Sequence, residues 1–85
     1  MRRLENKIAI ITGGGRGIGK AITHQYLDEG ATVIIADFNE RSGKETADSI
    51  GGYFVNTDIS DENSVNSLFE YVKTKFSRLD ILVNN

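Results

Sequence analysis

Thr12-Gly13-Gly14-Gly15-Arg16-Gly17-Ile18-Gly19 is the stretch whose reading decides the fold. In front of it runs Lys7-Ile8-Ala9-Ile10-Ile11, a continuous apolar run rich in β-branched residues, the composition of a buried strand. Behind it, Ile18, Ala21, Ile22 and Tyr26 recur at helical spacing as far as Glu29, and Gly30 suits the left-handed residue that ends a helix. Five glycines therefore fall within the seven residues from Gly13 to Gly19, at a junction between strand and helix. A flexible turn needs fewer. At such a junction free backbone N–H groups and the positive end of the helix dipole together attract a phosphate. Gly13, Gly17 and Gly19 fit the needs of a sharp turn, a close backbone approach to a pyrophosphate, and tight packing of helix on strand.

The same alternation continues outward. Thr32-Val33-Ile34-Ile35-Ala36 is a second apolar strand closed by Asp37, and Asn39 is placed to cap a sparse, mostly solvated helix up to Ile50. Gly51-Gly52 breaks that helix, and Tyr53-Phe54-Val55 forms a third strand ending near Asn56-Thr57-Asp58. Ser60 is the expected cap of a third helix, with Asp61 and Glu62 at its positive end and Val65, Leu68, Phe69, Val72 and Phe76 as its apolar stripe. Leu79-Asp80-Ile81-Leu82-Val83 is a fourth strand. Apolar strands alternating with helices predict an α/β fold, a parallel sheet covered on both faces in three αβα layers. The doubly wound order places the strands 3-2-1-4.

Composition narrows the function. The chain has 85 residues, 39% of them hydrophobic and 26% charged, which argues against disorder. A net charge of −2 with scattered basic residues gives no footprint for nucleic acid or an anionic membrane. Without cysteine there is no disulfide or thiol chemistry, and a single histidine, His24, makes a transition-metal site improbable. The run from Ile8 to Ile11 is too short for a membrane segment or signal, so a soluble, cytoplasmic protein is expected.

Asp37 lies 20 residues beyond Gly17, where a dinucleotide fold places the carboxylate that bonds the ribose hydroxyls. That selects NAD over NADP, since a 2′-phosphate about 4 Å away would be repelled by roughly 4 kcal/mol at an effective dielectric of 20. Arg16 and Arg41 are the only basic residues placed to oppose this, and Arg16 also reads as a solvated turn residue. The competing role for Asp37 is a helix cap. Gly14-x-x-x-x-Gly19-Lys20 also spells most of a nucleoside-triphosphate P-loop, but the next residue is Ala21, whose methyl cannot hold Mg²⁺.

The glycines do not follow the spacing with glycines first, third and sixth; they follow Thr-Gly-x-x-x-Gly-x-Gly. In Thr12, Gly13, Gly17 and Gly19, then Asp37, Asp58, and Asn84-Asn85, the chain resembles the N-terminal half of the short-chain dehydrogenase/reductase family over all 85 residues. The resemblance implies a Rossmann-type domain that binds NAD, and a parent oxidoreductase that moves hydride between nicotinamide and an alcohol or carbonyl substrate. It makes Gly13, Gly15, Arg16, Gly17, Ile18 and Gly19 the cofactor-binding turn. It also implies Asp37 and Phe38 at the ribose, Asp58 at the adenine amino group unless it caps the next helix, Ile59 near the ring, and Asn84 bracing the central strands.

The family's catalytic Ser, Tyr and Lys, and the residues that read substrate, correspond to positions beyond Asn85. Residues 1–85 are thus expected to be one incomplete, truncated half-domain without catalytic residues of its own, inactive alone. Tyr71-Val72-Lys73-Thr74-Lys75 matches Tyr-x-x-x-Lys in letters only. It sits far along a helix that runs away from the site, about 15 Å from the carboxyl ends of the strands at 1.5 Å per residue. His24 reads as a surface residue. The fourth strand is expected to be an open apolar edge, which predicts a homo-oligomer or a non-catalytic module that self-associates there.

Overall fold

Backbone bonding turns the apolar runs into strands and the periodic stretches into helices. The computed structural model describes residues 3–85. The elements are β1 (Ile8–Thr12), α1 (Gly17–Asp28), β2 (Thr32–Asp37), α2 (Glu40–Ile50), β3 (Tyr53–Asn56), α3 (Glu62–Phe76) and β4 (Ile81–Val83). All pairings are parallel and the sheet order is β3-β2-β1-β4. This is the Rossmann-type arrangement expected.

The order fixes where the helices go. From β1 to β3 the chain steps one way across the sheet, then crosses back over β1 to reach β4. Right-handed crossovers put α1 and α2 on one face and α3 on the other. The cores follow the alternation of side chains. Ile8, Ile10, Ile34 and Ala36 pack with Leu68 and Val72 of α3, whereas Ile11, Val33 and Ile35 pack with Ala47 of α2 and with Ile22, Tyr26 and Leu27 of α1. Central strands β1 and β2 are buried almost throughout; β3 and β4, at the edges, are only half-covered.

Three local expectations are corrected. Ile18 and Ala21 are exposed, because Gly19 and Thr23 form the row of α1 that faces the protein; Thr23 Oγ1 lies 2.9 Å from the Gly19 carbonyl and 3.3 Å from that of Gly14. Helix α2 is mostly solvated, as its sparse stripe suggests; Gly43, Thr46 and Ala47 are buried, so it docks by small residues rather than by an apolar stripe. Helix α3 is capped by Asp61, whose side chain accepts from Asn63 N–H, while Ser60 donates both its backbone N–H and its hydroxyl to Asp58. Phe69, expected in the stripe of α3, lies at its exposed flank.

Strand β4 is shorter than its apolar run. Asp80 turns its carboxylate to the start of β1, accepting from Ile8 N–H at 2.8 Å while its own N–H donates to the Ile8 carbonyl at 2.9 Å. Among the described residues no helix is long and apolar enough to cross a membrane.

Candidate functional site

The crossover reversal between β1 and β4 leaves a crevice at the carboxyl ends of the strands, the place where doubly wound sheets bind ligands. The chain leaves β1 at Thr12 and turns at Gly13, whose φ of 65° favours glycine. Gly13 N–H donates to the Ala36 carbonyl at 2.8 Å, holding the turn against the end of β2. Gly19 then seats α1 on the turn: a Cβ there would collide with the Gly13 carbonyl oxygen.

The three helices differ at their N-termini. Helices α2 and α3 begin with side-chain caps, Asn39 accepting from Ser42 N–H and Asp61 from Asn63 N–H, and each has an acidic residue in its first turn. Helix α1 has Arg16 at the cap position, no side-chain cap and no acidic residue in its first turn. Its first N–H groups are left without a side-chain acceptor beside the glycine turn. Such an end presents donors and a partial positive charge to an anion.

Asp37, at the end of β2, is buried at 6% exposure and reaches back to the same turn. Its Oδ2 accepts from Gly15 N–H at 3.3 Å and its Oδ1 from Asn39 N–H at 3.0 Å. Each carboxylate oxygen keeps further acceptor capacity. Helix α2 is capped by Asn39, so Asp37 is not the cap. Asp58 Oδ1 accepts from Ser60 N–H at 2.9 Å and from its hydroxyl at 2.6 Å. These bonds, the hydroxyl first, hold the Asp58 carboxyl below its ordinary pKa.

Thr12, Asp37, Phe38, Asp58, Ile59 and Asn85 share one cavity of about 200 Å³. Phe38 and Ile59 stand at its rim with their side chains largely in solvent. Asn84 lies elsewhere, in a cavity of about 330 Å³ on the far side of Thr12 that Ile59 also lines. Asn85 is the residue that meets the turn, donating its side-chain N–H to the Gly13 carbonyl at 3.4 Å and its backbone N–H to Thr12 Oγ1 at 2.9 Å. Arg16, Gly17 and Ile18 are exposed along the turn, and Gly15 is buried beneath it.

Tyr71 and Lys75 are remote from this crevice. Tyr71 packs against the cluster of Ile8, Ile10, Ile34, Ala36, Leu68 and Val72, and the Lys75 ammonium stands 5.2 Å above the ring of Tyr53, the first residue of β3. The Lys75 contact lies toward the amino ends of the strands. His24 is exposed, as expected. Among the described residues no group of acidic or histidine side chains is arranged to hold a metal ion. Gly43 and Thr46 of α2, which sequence reasoning passed over, also reach the turn; a glycine inside a helix is the one signal that pointed there.

Residues 7–85 match the sequence profile of the family described as short chain dehydrogenase. The chain belongs to the short-chain dehydrogenase family. It is 45% identical over 84 residues to short-chain dehydrogenase reductase ATA1 of Arabidopsis thaliana, covering 99% of this chain and 31% of that protein. It is 46% identical over 90 residues to the uncharacterized oxidoreductase YxbG of Bacillus subtilis, covering 100% of this chain and 33% of the relative. Among solved structures, 3-ketoacyl-(acyl-carrier-protein) reductase from Brucella melitensis, complexed with NADH, superposes with a TM-score of 0.89 at 36% identity. That match covers 93% of this chain and 33% of the reductase. A hydroxysteroid dehydrogenase from Escherichia coli gives 0.93 at 36% identity, over 98% of this chain and 36% of the other. The chain thus spans about a third of the length of the short-chain dehydrogenases it matches.

Proposed function

We propose that this chain is the cofactor-binding half of an NAD-dependent short-chain dehydrogenase. The observation that carries the reading is the contrast among helix N-termini: those of α2 and α3 are capped and acidic, and that of α1, into which the glycine turn leads, is open. The pyrophosphate would lie on the turn from Gly13 to Gly19, across Gly15, Arg16, Gly17 and Ile18. Asp37 would take the ribose hydroxyls, with Phe38 and Ile59 flanking the adenine and Asp58 at its amino group. Asn84, on the far side of Thr12, would line the other half of the crevice. A relative of the same fold that is complexed with NADH supports the dinucleotide reading.

Asp37 favours NAD over NADP. A 2′-phosphate would have to approach a carboxylate already fixed by two backbone donors, and like charges about 4 Å apart repel by roughly 4 kcal/mol at an effective dielectric of 20. Bound nicotinamide supplies hydride exchange with an alcohol or carbonyl carbon. Residues 1–85 contribute binding and orientation only, and the chain by itself is inactive as a dehydrogenase. Calorimetric titration with NAD, NADP and ATP–Mg²⁺ tests this. NAD binds more tightly than NADP by at least about tenfold, equivalent to about 1.4 kcal/mol, and Asp37→Ala abolishes the preference. Equal affinities in the unsubstituted chain overturn the assignment of Asp37, and binding of ATP–Mg²⁺ alone favours a triphosphate site.

A further inference from the structure

The Gly15 peptide is gripped by α2 as well as by Asp37. Thr46 Oγ1 donates to the Gly15 carbonyl at 3.0 Å, and Thr46 is 4% exposed. On the other side of the same residue, Gly15 N–H donates to Asp37 Oδ2. The helix comes this near because the turn carries no side chain at Gly15: a Cβ there would stand 2.7 Å from Gly43 Cα and 2.8 Å from its nitrogen. Gly43 has no room for a methyl either, since its own Cβ would strike the ring of Phe54 on β3. A glycine inside a helix costs about 1 kcal/mol relative to alanine, so a tertiary reason for it is expected, and this double contact supplies one.

The bond has a directional consequence. A trans peptide points its C=O and N–H in opposite directions. Drawing the Gly15 carbonyl toward Thr46 therefore turns the Arg16 N–H away from α2, and Arg16 is the residue that leads into the open end of α1. We propose that Gly43 and Thr46 are positioning residues for the cofactor turn. Helix α2 acts as a bracket that fixes the Gly15–Arg16 peptide, and so sets dinucleotide affinity without touching the dinucleotide. The affinity part rests on the NAD-binding reading above.

The test compares the 85-residue chain with Thr46→Val, which keeps the shape and removes the hydroxyl, and Thr46→Ser, which restores it. Amide hydrogen exchange followed by NMR reads the bracket without ligand. In Thr46→Val the Gly15 amide, which donates to Asp37 and not to Thr46, exchanges about five- to tenfold faster because the turn that holds it on Asp37 has lost an anchor of about 1 kcal/mol, while amides of β1 and β2 keep their rates. Thr46→Ser returns Gly15 to its original rate. NAD affinity falls by a similar factor in Thr46→Val and recovers in Thr46→Ser. Unchanged Gly15 exchange in Thr46→Val overturns the proposal, as does acceleration spread evenly over all amides, which marks general loosening. Full NAD affinity in Thr46→Val also overturns it. If the unsubstituted chain does not bind NAD, the dinucleotide reading fails, and the exchange arm alone decides whether the bracket exists.

Discussion

Each glycine of the turn answers a different steric demand, and alanine substitutions separate them. A methyl at Gly19 meets the Gly13 carbonyl oxygen, and one at Gly15 meets the backbone of Gly43, neither of which can move without displacing an element. A methyl at Gly17 finds nothing within 4 Å and pays only for its φ of 54°. Gly19→Ala and Gly15→Ala should therefore cost about 3 kcal/mol, toward the upper end for overpacking, and Gly17→Ala about 1 kcal/mol. Urea denaturation midpoints check the ranking, and equal costs at Gly17 and Gly19 contradict it. The roles of Gly13 and Gly19 were legible in sequence because a strand-to-helix junction imposes them locally. Those of Gly43 and Thr46 were not, since nothing along α2 says which neighbour its small residues approach.

Among the elements, β4 is fastened to β1 by the Asp80 side chain as well as by its three paired residues. Asp80 receives the Arg78 guanidinium at 2.7 and 3.1 Å as well as Ile8 N–H. The Arg78 bonds first, then the Ile8 N–H, hold the Asp80 carboxyl below its ordinary value of 3.8, against a smaller opposing effect of desolvation. A depressed folded pKa means that the stabilisation is complete above the unfolded value and is lost as pH falls through the folded one. Asp80→Asn should thus lower the thermal midpoint at neutral pH, with the gap from the unsubstituted chain closing progressively below about pH 4. A gap that stays constant down to about pH 2 would place the effect outside the carboxylate. Helix starts were less legible than helix existence. Ser60 and Asp61 both suit a cap by residue type; in the fold Ser60 turns its hydroxyl to Asp58 and Asp61 accepts from Asn63 N–H.

Across the whole molecule, the sheet order followed from sequence because continuous apolar strands, intervening helices and right-handed crossovers leave few alternatives. The edge it creates has a solution consequence. Among the described residues one side of β4 has no strand beside it, and Leu82 there is 44% exposed. Unpaired backbone beside apolar side chains recruits a second strand. The 85-residue chain should associate as its concentration rises, and Leu82→Lys should suppress this in light scattering. A chain that stays monomeric at millimolar concentration would show that β4 is protected in another way.

The pairing of β4 with β1 also bears on the order in which the molecule assembles. Ile8 meets Asp80 across 72 residues, whereas the same strand meets β2 at Thr32. Closing the longer loop costs about 1 kcal/mol more in chain entropy, and only three residue pairs repay it. The unit β1-α1-β2-α2-β3 can therefore form while β4 is still searching, and β4 is the strand that detaches most readily afterwards. Because Thr12 Oγ1 donates to the Val83 carbonyl and Asn85 reaches the Gly13 carbonyl, each detachment removes one wall of the crevice. Loosening of β4 should therefore speed the release of a ligand held at the glycine turn.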